Sequence, residues 1–233
     1  MRAPTPRSRI CVTALALLQP LIGAQAAERS FAVTRFDSVR VTDIESVDIV
    51  TGGSAAVAAT AGAAELDRLD ITVVGGVLVV APRAGGAIDA PAVRARVRIA
   101  LPMINNLAVR GGGAVRVNRV TAPGLTVALA GPGRIEIAAI DSQSVAFSTA
   151  GSGSISAAGR CENARAMSTG SGQIDIARLN CETLVADTGG SGDINARASN
   201  TAKLTITGAG NIAVSGGAKC TVSAIGSGKA ICS

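Results

Sequence analysis

The chain has 233 residues, 48% of them hydrophobic, with 28 glycines, three phenylalanines, a formal net charge of +6 and no tryptophan, tyrosine or histidine. Without histidine there is no His-based acid–base catalysis, no Ser-His or Cys-His nucleophile pair and no His-containing zinc site. The core must be aliphatic.

Residues 1–26 have the three-part form of a secretory signal: Arg2, Arg7 and Arg9, an apolar run from Ile10 to Gly23, then Ala24-Gln25-Ala26. That pattern predicts export and cleavage after Ala26. The apolar run contains Pro20 and is shorter than the roughly 18–20 residues needed to span a bilayer, so no transmembrane segment is expected after cleavage. Cys11 comes straight after Arg9-Ile10, at the start of the run rather than at its end, away from the position of a lipid-modified cysteine, and should leave with the signal. Losing three arginines and no acid lowers the formal charge to +3. That is too little to argue for nucleic acid.

The remaining residues, 27–233, suit one domain or one elongated repeat array. Its N-terminal half, residues 36–101, repeats loosely. Val47–Thr51 before Gly52-Gly53, and Leu69–Val74 and Val77–Val80 around Gly75-Gly76, read as strand, glycine turn, strand. Terminal repeats of an array are often atypical because they cap it. The stretch from Pro82 to Pro91 is the most loop-like, and Val93–Ile99 is a strongly alternating strand carrying Arg94, Arg96 and Arg98.

Residues 102–232 repeat regularly. Gly-x-Gly recurs at Gly111/Gly113, Gly131/Gly133, Gly151/Gly153, Gly170/Gly172, Gly190/Gly192, Gly208/Gly210 and Gly226/Gly228, with spacings of 20, 20, 19, 20, 18 and 18 residues. Four residues after each first glycine stand Val115, Ile135, Ile155, Ile174, Ile194, Ile212 and Ala230. Six after stand Val117, Ile137, Ala157, Ile176, Ala196, Val214 and Cys232. The positions between are polar, for example Arg116, Glu136, Ser156, Asp175 and Asn195. Period-two alternation of this kind marks a strand with one buried face. Upstream, the fourth residue back is Leu107, Val127, Phe147, Ala166, Ala186, Leu204 or Val222, and the sixth back is apolar except at Asn105. Each unit therefore carries two short strands. An antiparallel meander could use such units, but constant columns favour a coil in which each strand stacks on its counterpart in the next unit. The glycines then turn the chain sharply at one corner of every rung, where a positive φ or a close backbone approach is expected.

The Gly-Ser-Gly-x-Ile units, the opening Phe36–Val41 strand, the Leu66–Leu69 segment leading into Val77–Val80, and the closing Cys220, Gly226-Ser227-Gly228 and Cys232 resemble the head GIN domain family of auto-transporter adhesins. The likeness runs over residues 36–232. It implies an all-β, right-handed parallel β-helix (β-solenoid) with coils of about 20 residues, in a secreted or envelope-associated protein with a role in adhesion. It supplies no catalytic residue.

Candidate chemistry is sparse. The glycine turns lack the following helix and Lys-Ser/Thr of phosphate-binding loops, so they read as structural turns. Gly190-Ser191-Gly192-Asp193-Ile194 partly matches a calcium-binding repeat, but the Asp193 position is Arg134, Ser154, Gln173 or Asn211 elsewhere. No metal and no cofactor are expected. Glu136, Asp175 and Asp193 could be imagined as the carboxylates of a polysaccharide-active enzyme; as polar residues on a wet strand face they need no such role, and a non-enzymatic protein is expected. No outer column forms the regular threonine ladder of an ice-binding surface. Arg94, Arg96 and Arg98, with Arg110, Arg116 and Arg119 in the same region, form a basic stripe. It could meet surface glycans or lipopolysaccharide phosphates, or guard a strand edge against pairing. Envelope proteins are further candidate partners, and the location is periplasmic, outer-membrane-associated or at the cell surface. Four cysteines outlast the signal in an oxidising compartment. Cys161 and Cys181 each lie nine residues before a first glycine, one rung apart, and Cys220 and Cys232 share the last unit. Stacking thus favours Cys161–Cys181 and Cys220–Cys232 over buried free thiols. The second pair requires the last coil to taper, because opposed inner faces ordinarily lie about 10 Å apart.

Overall fold

The computed structural model describes residues 26–83 and 92–233. The expected export signal, except Ala26, and most of the Pro82–Pro91 stretch lie outside the described residues. After a first strand β1 (Ala27–Phe31), β2 (Ser38–Thr42) and β3 (Ile44–Thr51) form one complete coil. The chain then leaves the coil path through β4 (Ala56–Ala61), the short helix α1 (Ala63–Asp67), and the hairpin of β5 (Leu69–Val74) and β6 (Val77–Pro82), before β7 (Val93–Leu101).

β4, α1 and β5 form a cap, and β6 returns the chain to a coil that β7 continues. β4 runs antiparallel to both β1 and β7, and β5 runs antiparallel to β6. Gly75 and Gly76 both have positive φ, 58° and 78°, the geometry a two-residue hairpin turn demands. β6 and β7 stack in parallel on one side of β2 and β3. On the other side of β2 and β3 lie β8 (Asn106–Arg110) and β9 (Ala114–Val117). The earliest coil is thus sandwiched between two coils that follow it in the chain. Asn105, the polar exception in its column, sits at this junction and donates its Nδ2–H to Asp37 Oδ2 at 3.1 Å.

From here the stack grows in sequence order through β10 (Val120–Ala130), β11 (Arg134–Gly151), β12 (Ser154–Gly170), β13 (Gln173–Gly190), β14 (Ile194–Gly208), β15 (Ile212–Ser215), β16 (Lys219–Gly226) and β17 (Ala230–Cys232). Every pairing among them is parallel and in the expected register: Ile135 on Ile155, Ile155 on Ile174, Ile174 on Ile194, Ile194 on Ile212. The fold is a β-solenoid of about six turns, roughly 20 residues apart. Its continuous aliphatic core extends from Phe36 to Val214.

The rungs of β11, β12 and β13 have three paired segments, one more than the periodicity suggests. In β11 they are residues 134–137, 140–142 and 144–151, aligned with 154–157, 159–161 and 163–170 of β12. The unequal unit lengths are absorbed at the corners, where the register shifts between Ile137 and Ile140 and again between Ile176 and Asn180. Columns on either side stay aligned, so the spacing varies without cost to the core.

The two glycines of each pair meet the demands of the corner in different ways, one by a positive φ and the other by a close backbone approach. The first bends the chain: Gly190, for example, has φ of 121°, a conformation open to glycine and strained for other residues. The second, at Gly113, Gly133, Gly153, Gly172, Gly192, Gly210 and Gly228, has no positive φ. Crowding from the neighbouring rung selects glycine there instead. A Cβ on Gly133 would lie 2.7 Å from the carbonyl oxygen of Gly111, and one on Gly172 would lie 2.9 Å from that of Gly153. On Gly113 it would overlap the Ile44 carbonyl oxygen, and on Gly210 that of Gly192.

The inward columns are buried except at the last rung. Val222 is 48% exposed, Ala230 is half-buried and Cys232 is exposed, because no further coil covers them.

Candidate functional site

The three arginines of β7 alternate with buried Val93, Ala95, Val97 and Ile99, so all three guanidinium groups project outward. β7 is hydrogen-bonded to β3 on one side and β4 on the other. Arg96 and Arg98 thus lie within the pairing on both sides, whereas Arg94 lies beyond the β4 register and donates its backbone N–H to Glu65 Oε2 at 3.1 Å. Across the antiparallel pairing Arg98 faces Ala58 and Arg96 faces Thr60. Those short side chains leave a groove of about 460 Å³ beside the arginines, which Glu28 and Glu45 also line. Among the described residues, none of the three arginines forms an ion pair.

The other basic residues disperse. Arg98, Asp48, Arg116 and Glu136 follow one another along a single outer column, so the charges alternate in sign, and Arg116 Nε donates to Glu136 Oε2 at 3.2 Å. Arg110 aligns with Thr42 on a different face. Arg119 packs at the end of β3, where its carbonyl accepts the Thr51 hydroxyl.

A second, longer groove of about 850 Å³ runs over the short third segments of the rungs. Register places Thr121, Asp141, Arg160, Asn180 and Arg197 along one wall. The opposite wall carries Gln143, Glu162, Glu182 and Ser199. Its floor includes Cys161 and Cys181, directly paired in register and joined as a disulfide with a Cα–Cα distance of 4.5 Å. Arg160 grips Asp141 with two nitrogens, Nε donating to Oδ1 at 2.9 Å and a terminal nitrogen to Oδ2. That hydrogen bond, with the nearby charges of Arg160 and Arg119, holds the Asp141 carboxyl below the usual carboxylate range and raises the Arg160 guanidinium in turn. Periodicity alone did not reveal this groove, because its wall columns share no residue type.

The three carboxylates considered for catalysis do not converge. Ser156 stands between Glu136 and Asp175 in their column, which sets their backbones about 10 Å apart at ladder spacing. Glu136 is engaged by Arg116. Asp193 accepts both the backbone N–H and the side-chain amide of Asn211, at 2.9 and 3.0 Å. No cluster of metal-ligating residues occurs among the described residues, and no helix there is long and apolar enough to cross a membrane.

Parallel coils on an aliphatic core, closed at one end by an antiparallel cap and cross-linked by two disulfides, define a capped β-solenoid. The chain belongs to the family described as "Putative auto-transporter adhesin, head GIN domain", whose model matches residues 35–218. No curated protein matches it. Among solved structures it is similar to a "putative adhesin" from Bacteroides fragilis, with TM-score 0.85 and 19% identity over 91% of this chain and 98% of that one. It is also similar to a "putative lipid binding protein" from Parabacteroides distasonis, with TM-score 0.74 and 19% identity over 89% and 96% of the two chains. A "putative adhesin" from Parabacteroides merdae aligns with TM-score 0.71 and 16% identity over 90% and 96%. At these identities the shared property is the fold.

Proposed function

We propose that the protein is an exported, non-enzymatic module of the envelope or cell surface that binds anionic glycans or lipopolysaccharide phosphates through Arg94, Arg96 and Arg98. The observation that carries this reading is the row of guanidinium groups without ion pairs among the described residues, beside a groove and on a strand bonded to both β3 and β4. Charge-assisted, bidentate contacts to phosphate, sulfate or carboxylate suit that arrangement. Membership in an adhesin family supports a surface role. The dispersal of Glu136, Asp175 and Asp193 favours binding over a polysaccharide-active enzyme.

Surface plasmon resonance on immobilised lipopolysaccharide and heparin tests it. Replacing all three arginines by glutamine should weaken binding by about tenfold or more for each guanidinium removed, and binding should weaken with salt. Unchanged binding by the triple variant would remove the site. Turnover of an acidic polysaccharide that disappears in Asp175→Asn or Asp193→Asn would replace the binding role with an enzymatic one.

A further inference from the structure

We propose that the groove over the third segments is a second binding site, on a different face from the arginine groove, for a linear oligosaccharide carrying both free amines and anionic groups. The starting point is Glu162 and Glu182. Cys161 pairs with Cys181 and Asn163 with Thr183, so the two glutamates between them stand side by side on adjacent rungs. Both are exposed, and neither has an ion pair among the described residues. Like charges directly opposite in a ladder destabilise a sheet. Here the backbone beneath them is fastened by the Cys161–Cys181 disulfide, which holds the two rungs at the very point where the carboxylates meet. A cation between them would relieve the repulsion.

The facing wall supplies the opposite charge. Arg197 aligns with Asn180, one rung beyond Glu182 and two residues across. It too is exposed and has no ion pair among the described residues. Asp141 and Arg160 on the same wall neutralise each other, so the charges left open in the groove are Glu162, Glu182 and Arg197. At two residues along the strand and one rung across, the backbones of Glu182 and Arg197 are separated by about 8 Å. A ligand that answers both must itself carry both signs at short intervals.

An extended peptide is the weaker fit. Strand addition needs a free edge, and β11, β12 and β13 are each paired on both sides. Side-chain recognition needs apolar pockets, whereas the walls here are polar and charged apart from Ala122 and Pro123 at one end. No aromatic ring lines the groove, so a neutral sugar would find no stacking platform. Charge and hydrogen bonding remain, with amide groups from Gln143 and Asn180 for sugar hydroxyls. Rungs repeat every 4.8 Å or so, close to the length of one sugar ring, so successive rungs can meet successive rings.

Isothermal titration calorimetry with O-carboxymethylated glucosamine oligosaccharides tests the site, with N-acetylated and uncarboxymethylated counterparts. The zwitterionic oligomer should bind. N-acetylation, or the double substitution Glu162→Gln/Glu182→Gln, should each weaken it by about tenfold or more. Arg197→Gln should weaken the carboxymethylated oligomer and leave the simple amine oligomer unchanged. These side chains are exposed, and circular dichroism with urea midpoints should show each variant folded. The variant lacking Arg94, Arg96 and Arg98 should bind the zwitterionic oligomer normally while losing lipopolysaccharide, which keeps the two sites separable. Equal binding of the N-acetylated oligomer, full binding by the double glutamate variant, or no binding at millimolar ligand would overturn the proposal. Loss of binding in the triple arginine variant would also overturn it, by moving the contact to the other groove.

Discussion

Ser168 and Gly172 close a turn from inside the core: the buried Ser168 hydroxyl donates to the Gly172 carbonyl oxygen at 2.9 Å. Rung by rung, Arg134, Ser154 and Gln173 donate their backbone N–H to the second glycine of the preceding turn. At the next turn Ser168 supplies the donor, and Thr188 does the same for Gly192. The column that holds them is Val109, Leu129, Thr149, Ser168, Thr188 and Ile206, all buried. Ser168→Ala should therefore cost about 1–3 kcal/mol, the penalty of a buried carbonyl left without a donor. Ser148→Ala, at a half-buried hydroxyl with only a 3.5 Å contact to the Val127 carbonyl, should change the urea midpoint little.

Neighbouring glycines should respond differently to alanine. Gly190 combines φ of 121° with backbone of Gly170 so close that a Cβ would lie 3.2 Å from two of its carbons. Gly189, one residue earlier, has no positive φ and open space around it. Gly190→Ala should lose at least 1–3 kcal/mol or so, the usual cost of forcing a side chain into that region. Gly189→Ala should be neutral within about 0.5 kcal/mol. Matching thermal midpoints for the two variants would contradict the role given to the first glycine.

Those two cases show what the sequence discloses. The inner columns, the glycine corners and both cysteine pairs follow from period-two alternation repeated at nearly constant spacing, and such a pattern survives because every rung must fit the next. What the spacing does not separate is the two glycines of a corner, since a positive φ at Gly190 and a crowded approach at Gly133 or Gly210 both select the same residue. The third segment escapes notice because Ile140, Gly159 and Leu179 share no residue type there, and the register slips at the corners beside it. The cap escapes for another reason. Its antiparallel strands use the same aliphatic alternation as the coils, and nothing local in Val93–Ile99 says that β4 covers its edge. The insertion of β2 and β3 between later coils is a matter of long-range pairing, which no local spacing encodes. The third-face groove emerges only when Glu162, Glu182 and Arg197 are placed on their rungs.

The facing of each strand is testable at a single pair. Ile174 is fully buried, between Ile155 and Ile194, whereas Asp175 points outward and accepts only a 3.3 Å bond from the Ala177 N–H. Ile174→Lys buries an uncompensated charge and should cost several kcal/mol. Asp175→Lys should stay within about 0.5 kcal/mol. Urea denaturation of both variants distinguishes them directly.

Asp141 offers a pH test. Its folded carboxyl is held below the usual range by the Arg160 hydrogen bond. A depressed folded pKa means that the contribution of the pair is present above the unfolded pKa and is lost as pH falls through the folded one. Both side chains are largely exposed, so the effect on stability is small. An NMR titration should show the Asp141 carboxyl protonating at lower pH than in the Arg160→Gln variant. Identical titration curves would mean that the pair does not persist in solution.

The last prediction concerns the open end of the stack. β16 and β17 pair with β14 and β15, and no described strand covers their other side, which leaves the inward-column Val222 48% exposed. Opposed inner faces ordinarily lie about 10 Å apart, yet the Cα atoms of Cys220 and Cys232 are 6.5 Å apart and the two residues are bonded. The link therefore joins β16 directly to β17 across the last coil. In a solenoid each rung touches only its neighbours, so the effect of the link should remain local. Closing a loop of 12 residues is expected to stabilise the terminal coil by about 2–4 kcal/mol. Cys220→Ser/Cys232→Ser should accordingly speed amide exchange across residues 219–232 while leaving the rungs around Cys161 and Cys181 protected. Peptide mapping without reductant should recover Cys220 and Cys232 in one linked fragment from protein folded under oxidising conditions. Two free thiols there, or exchange that rises equally along the whole stack, would show that the terminal coil does not depend on this bond.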